Sequence, residues 1–261
     1  MNVMASYWFD LDSRFHGNDR PIDPACLCYD AAMLKKLRKD IRAQANPTKA
    51  KILQGFFKTG KGDYAEGDRF LGLTVPISRS IAKRNPSLSL ADLTTLLKSP
   101  IHEERLVALV LLVDRYKKSN DKMRQQIFNL YVKHTRYINN WDLVDLSAGY
   151  IVGPTATKKE LVRLATSPLL WDRRIAMIAC FHGIMQGDCR NALHIARLLM
   201  HDEHDLIHKA VGWMLREVGK RCSEKTLRDF LDKHAHEMPR TMLRYAIERL
   251  PKREQKRYLG R

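Results

Sequence analysis

The sequence predicts an all-α protein, a solenoid of stacked helix pairs, and three observations carry that expectation. From Ala31 onward apolar residues recur at helical spacing, and few stretches show the two-residue alternation or β-branched clustering that strands require. Three segments superimpose without gaps: Ser99-Pro100 to Ala108, Ser167-Pro168 to Ala176 and His201-Asp202 to Ala210, at spacings of 68 and 34 residues. Each contains an apolar helix, a short polar turn and a second helix. Such a pair cannot bury its apolar stripe alone, so HEAT-like pairs stack, with the second helices expected to line a concave, basic groove.

The elements follow in order. Residues 1–30, with a Ser13-Arg14-Phe15-His16-Gly17-Asn18-Asp19-Arg20 stretch ahead of two prolines, lack periodicity of either kind. They are expected to be a tail, either a poorly ordered extension or the product of an upstream start codon, with residues 31–261 forming one domain. Residues 58–68 read as a mobile glycine-rich loop, and Val75-Pro76 opens the next helix, proline being suited to a first turn. First helices are expected at 90–97, 127–132, 161–164 and 195–199, and second helices at 104–113, 142–151, 173–185 and 206–219. A unit of 34 phases a further copy on His134, which puts Asn140-Trp141-Asp142-Leu143-Val144-Asp145 in a second helix.

Composition sets the partner class. The chain is 44% hydrophobic and 29% charged, as in soluble globular proteins, and no apolar run reaches the roughly 18 residues of a membrane helix. Lys and Arg number 46 against 29 Asp and Glu, giving +17 and a pI near 9.8. Residues 1–30 hold two Arg and five Asp, so the remainder carries 44 basic against 24 acidic groups, or +20. Such a surface attracts a polyanion through counterion release. Five cysteines without a disulfide-framework spacing, and no secretory signal pattern, place the chain in a reducing cytoplasm.

Trp141 and Asp145 stand four apart and share a helix face. Asp145 occupies the repeat position of Leu111, Ala179 and Trp213, so an acid and an indole stand where the pattern is otherwise apolar. Arg174 lies five positions earlier in its unit, near the start of the adjacent second helix. Trp141, Asp145, Arg174 and Trp213 therefore converge from three neighbouring helices. From the residues alone, the indoles serve as packing or as site walls, Asp145 as a cap, an ion-pair partner of Arg174 or a functional acid, and Arg174 as a solvent or phosphate contact.

Four ordered strings are more specific than any one position. Phe70-Leu71-Gly72-Leu73-Thr74-Val75-Pro76, Trp141-Asp142-Leu143-Val144-Asp145, Trp171-Asp172-Arg173-Arg174 and Lys209-Ala210-Val211-Gly212-Trp213-Met214-Leu215-Arg216-Glu217 resemble the signature segments of the AlkD-like alkylpurine DNA glycosylases, and the resemblance covers nearly all of 31–261. It implies a monofunctional DNA glycosylase that releases cationic N3- or N7-alkylated purines from duplex DNA without metal or organic cofactor and without drawing the base into a deep pocket. By the same resemblance Asp145 matches the catalytic aspartate, Trp141 and Trp213 the paired aromatics, and Arg174 the active-site arginine, expected to hold a backbone phosphate. Phe56 stands where sequences of that family carry a tyrosine, and the glycine-rich segment is longer than in those sequences, though other members of the family share it. A non-catalytic paralogue that binds DNA structure or protein is the alternative.

Phosphate contacts are expected from Lys58, Lys61, Lys209, Arg216, Lys220, Arg221 and Arg244, acting on a monomer. The run Gly55 to Gly62 approaches the pattern G-x-x-x-x-G-K-[ST], but Gly62 supplies no hydroxyl for Mg²⁺ and helix precedes it where that motif needs a strand. His201, His204 and His208 have metal-like spacing, broken by the turn around Asp202. Cys26 and Cys28 lack a second pair.

Overall fold

A computed structural model describes residues 24–260. The helices are α1 (Pro24–Ala43), α2 (Pro47–Phe56), α3 (Val75–Arg84), α4 (Leu90–Leu97), α5 (His102–Lys118), α6 (Asp121–Lys133), α7 (Trp141–Ile151), α8 (Lys158–Ala165), α9 (Leu170–Ala179), α10 (Phe181–Met185), α11 (Arg190–Leu198), α12 (Asp205–Arg221), α13 (Glu224–His234), α14 (Arg240–Ala246) and α15 (Lys252–Leu259). Among the described residues no strand forms beyond an isolated bridge between Arg69 and Ile101, and no helix is long and apolar enough to cross a membrane.

Local chemistry sets the helix starts. Asn46, Ser89, Asn120, Thr157 and Ser223 each accept a backbone N–H of the first turn they precede, and Ser89/Asp92 and Thr157/Glu160 form reciprocal capping boxes. Pro47 and Pro76 sit in first turns, where a missing N–H costs nothing.

The helices stack in two rows. Second helices α5, α7, α9, α12 and α14 pack each on the next, while α4, α6, α8, α11 and α13 each pack on a second helix beside them. The interface between the rows holds a continuous core, including Leu109, Leu112, Val144, Ile175, Ile178, Val211 and Leu215. The expected solenoid is therefore present.

Three local departures have physical causes. Helix α1 begins at Pro24, upstream of the expected Ala31, so residues 24–30 and with them Cys26 and Cys28 are helical; the rest of the 1–30 segment lies outside the described residues. The helix expected over 173–185 divides at Cys180, whose N–H bonds Met177 three residues back. A 34-residue step from His102 would start the next second helix at 136, yet it starts at Trp141, because Thr135–Tyr137 forms a 3₁₀ turn first. That delay moves Asp145 out of the register of Ala179. It becomes the fifth residue of α7, level with Arg174, the fifth of α9.

The segment between α2 and α3 is held by backbone bonds. The Glu103 carboxylate accepts the N–H groups of Leu71, Gly72 and Leu73 at 2.8–3.2 Å, and Asn46 N–H donates to Leu71 at 2.7 Å. The string around Gly72 thus closes the N-terminal helices onto α5. Gly72 has φ +89°, and a Cβ there would lie 2.2 Å from the Asn46 carbonyl oxygen. Gly72→Ala is expected to cost about 3 kcal/mol through strain and clash, read as a lowered urea midpoint at unchanged slope.

Candidate active site

The site starts from an ion pair between neighbouring second helices. Arg174 Nε donates to Asp145 Oδ1 at 2.9 Å and Nη2 to Oδ2 at 2.8 Å, while Nη1 donates to the Leu206 carbonyl at the start of α12 at 2.5 Å. One guanidinium thereby ties α7, α9 and α12. Arg174 is 0% exposed and Asp145 7%. Burial pushes the Asp145 carboxyl above its usual range; the Arg174 fork opposes this, and the nearby Asp142 charge adds to the rise. The expectation that Arg174 holds a DNA phosphate is corrected by its burial: it has no solvent-facing surface, and it positions Asp145.

Trp141 opens α7, one turn before Asp145, and its ring is the end of an aromatic stack. Phe57 stacks on Trp141 at 5.2 Å and on Phe70 at 5.0 Å, and Phe70 stacks on the His102 ring at 4.3 Å. Phe56, 51% exposed, meets Trp141 edge-on at 6.0 Å and adds a further ring to that end of the stack. A cavity of about 220 Å³ beside this stack is lined by Ile52, Phe56, Phe70, Val75, His102 and Asp142, among others.

His102 fixes the same end of α7. Its Nδ1 lies 3.1 Å from Asp68 and its Nε2 2.8 Å from Asp142, and Asp68 also pairs with Arg105. Burial disfavours charge on the ring, but the Asp142 carboxylate and the hydrogen bonds to Asp142 and Asp68 outweigh it and raise the pKa to about 9. An imidazolium donating from both nitrogens satisfies both acids. Asp142 spends its other oxygen on the Leu143 N–H at 2.8 Å.

The glycine-rich segment, expected to be mobile, is a chain of hydrogen-bonded turns: Ala65 N–H to Lys58, Asp63 N–H to Gly60, Glu66 N–H to Asp63, Asp68 N–H to Ala65, and Gly62 N–H to the Glu66 carboxylate. Ala65 and Asp68 are buried. The segment sets Tyr64 against Trp171 and His204, at 6.0 and 6.4 Å between ring centroids.

The other expected residues divide. Trp213 joins the row from α12 and is buried. Lys58, Lys61, Lys220 and Arg244 are exposed. Lys209 pairs with Asp205 at 2.6 Å, and Arg221 pairs with Glu217 at 2.8 Å and covers the Phe181 ring. Arg216 requires correction as a phosphate ligand, because it is buried and engaged by Glu248 and Glu217. His204 accepts the Leu206 N–H, His208 meets the Asp202 carbonyl and His201 faces Glu237, so the three histidines serve separate contacts.

Sequence reading missed Tyr64, Asp68, His102 and Arg105. Asp142 and Trp171 lay inside the quoted strings without a role. Position beside the strings was the one available signal for the rest, since their partners are 34 to 40 residues away or more.

Two stability outcomes follow. Arg174→Gln leaves a buried carboxylate with a weaker partner and is expected to cost about 3 kcal/mol or more in urea denaturation. His102 has a raised folded pKa, so its contribution is full below pH 6.5 and is lost as pH rises through about 9. Wild type should lose on the order of 2 kcal/mol across that window beyond any loss shown by His102→Gln; equal pH profiles would exclude the ion-paired imidazolium.

A model of the family described as DNA alkylation repair enzyme matches residues 37–250. A solved structure described as a predicted DNA alkylation repair enzyme from Enterococcus faecalis superimposes with a TM-score of 0.60 at 17% identity, over 80% of this chain and 98% of that one. At that identity the likeness is one of fold. No protein of curated function matches the chain by sequence. The family match extends from α1 to the end of α14 and so takes in the Asp145–Arg174 pair, its aromatic surround and the helix rows that carry them: this chain belongs to the DNA alkylation repair enzyme family.

Proposed function

We propose that this chain is a monofunctional DNA glycosylase that hydrolyses the N-glycosidic bond of cationic N3- or N7-alkylated purines in duplex DNA. The observation that carries the reading is the Asp145 carboxylate, gripped on both oxygens by Arg174 one turn from the Trp141 ring. A cationic purine leaves as a neutral base, so the barrier lies in the positive charge that gathers on the sugar. A fixed carboxylate at C1′ lowers that charge's energy without reorganising. Arg174 sets the carboxylate plane. Asp142 supplies a second negative charge at the same helix end, partly spent on His102.

Trp141 and Trp213 would pack on the cationic base or sugar through their π faces. Exposed Lys58, Lys61, Lys220 and Arg244, with Lys209 and Arg221 at the end of their pairs, would meet phosphates along a basic groove, and the +17 net charge supports that approach. The chain would act as a cytoplasmic monomer in base excision repair. A second reading has one observation in its favour: both oxygens of a buried Asp145 are engaged, as in a structural ion pair, which suits a non-catalytic DNA-binding paralogue.

Free-base release from duplex DNA carrying 7-methylguanine separates the two. Asp145→Asn keeps an acceptor for Arg174 and should retain duplex affinity while losing at least about a hundredfold in release. Equal release by both proteins would remove Asp145 from the chemistry, and no release by either, with tight binding, would favour the non-catalytic reading. Because the Asp145 carboxyl titrates above its ordinary 3.8, the acid limb of kcat/KM should lie above that value and vanish in no variant that keeps the carboxylate. Duplex affinity should fall steeply and log-linearly with salt.

A further inference from the structure

The cavity of about 220 Å³ beside the aromatic stack is bounded by α2, the start of α3 and the first turns of α5 and α7. Its walls are chiefly rings and aliphatic side chains, among them Phe56, Phe57, Phe70, Leu53 and Leu106. A cavity of about 150 Å³ lined by leucine, isoleucine and phenylalanine holds a benzene ring, so this one has room for a larger planar molecule. Ile52 and Phe56, four apart on α2 and 65% and 51% exposed, form its rim. Helix α2 buries none of its residues, so that wall yields to an entering ring at small cost.

The start of α3 brings polar groups without partners to this apolar space. Ser78 lines the cavity at 1% exposure, and its Oγ makes no hydrogen bond. A hydroxyl buried in that way costs stability that nothing within the fold returns. Thr74, Val75 and Pro76 border the same space, and this helix start has neither a side-chain cap from Thr74 nor an acid in its first turn. The positive end of the α3 dipole and an unused hydroxyl thus adjoin one cavity, and both suit an acceptor.

The charged groups of the lining choose among acceptors. Lys49 and the His102 imidazolium stand against Asp142 and Glu103, two of each sign, so the cavity has no excess charge to offer. A phosphate would meet two carboxylates and an apolar wall, and a cation would meet the positive end of α3. An uncharged flat ring with in-plane acceptor atoms meets neither obstacle, since its faces suit the phenylalanine rings and its edge suits the donors of α3. The base freed from a cationic purine is such a molecule, and Asp142 lies on α7 three residues before Asp145. We propose that this cavity is a binding site for an uncharged purine base, held among Phe56, Phe57 and Phe70 with an acceptor atom at the Ser78 hydroxyl, and that its occupant is the base released at Asp145. The source of the base rests on the glycosylase reading.

The test is calorimetric titration of the full chain with free 7-methylguanine and with free 3-methyladenine. Wild type should bind at least one of them saturably; Ser78→Ala should bind about fivefold more weakly without a lower urea midpoint, because its hydroxyl has no partner to lose. Val75→Phe, which fills the cavity from the first turn of α3, should abolish binding in a protein whose urea midpoint shows it folded. No saturable binding at millimolar base by wild type, or equal affinity in folded Val75→Phe, would overturn the site, and equal affinity in Ser78→Ala would overturn the contact at Ser78. A duplex with one unpaired 2-aminopurine is the second arm: fluorescence that differs between wild type and Val75→Phe would put a base still attached to DNA in the cavity and overturn its assignment to the freed base. Release from 7-methylguanine duplex is measured beside these. Absent release with free-base binding intact would overturn the glycosylase reading and leave the base site standing, while release without free-base binding would do the reverse.

Discussion

One buried guanidinium holds the centre of this molecule together. Arg174 sends two N–H groups to Asp145 on α7 and a third to the Leu206 carbonyl on α12, so three successive second helices are fixed by a single side chain with no exposed surface. The apolar stripes of the helices supply most of the stacking energy, but such packing is tolerant of sliding and rotation. A bidentate fork is not. Its geometry fixes the register of α7 on α9 at Asp145 and Arg174.

The N-terminal helices attach to this centre by polar and aromatic contacts rather than by further copies of the repeat. Glu103 gathers three backbone N–H groups of the 71–73 segment, and Glu104 meets Arg38 and Arg42 of α1. His102, between Asp68 and Asp142, joins the glycine-rich loop to the first turn of α7. Phe70, Phe57 and Trp141 continue that join as a stack. Buried charges of this kind are costly unless satisfied, and here each acid is met by a cation or by backbone donors. The consequence is that the loop carrying Tyr64 and the helix carrying Asp145 are positioned by the same network. A change at Asp68 or His102 would be felt at the site without touching substrate.

On the proposed chemistry the division of labour is economical. A leaving group that is already positive needs no general acid, and the carboxylate needs only to be ionised and fixed. Arg174 bears on both needs, because its charge opposes the rise that burial gives the Asp145 carboxyl and its fork holds the carboxylate plane. Exposed Lys58 and Lys61 stand on the loop between α2 and α3, Lys220 at the end of α12 and Arg244 within α14, where they can attract a polyanion.

What the sequence determined by itself is what local chemistry determines. Helical periodicity, capping residues and first-turn prolines set the helices, and the copies at Ser99, Ser167 and His201 set their pairing, because each apolar stripe needs a neighbour of the same kind. Three of the strings hold residues that the tertiary structure brings together: Phe70 and Trp141 on either side of Phe57, and Asp145 with Arg174. An ion pair of Asp145 with Arg174 was one of several readings the residues left open, since the 34-residue register placed the two five positions apart, and only the 3₁₀ turn at Thr135–Tyr137 brings them level. The fate of Arg216 was not legible, since its partner Glu248 lies 32 residues on. Tyr64 and His102 were hidden for the same reason: their contacts cross long stretches of chain, and a one-dimensional pattern holds no record of which helix faces which. Burial and close packing decide that, and they exist only once the rows have stacked.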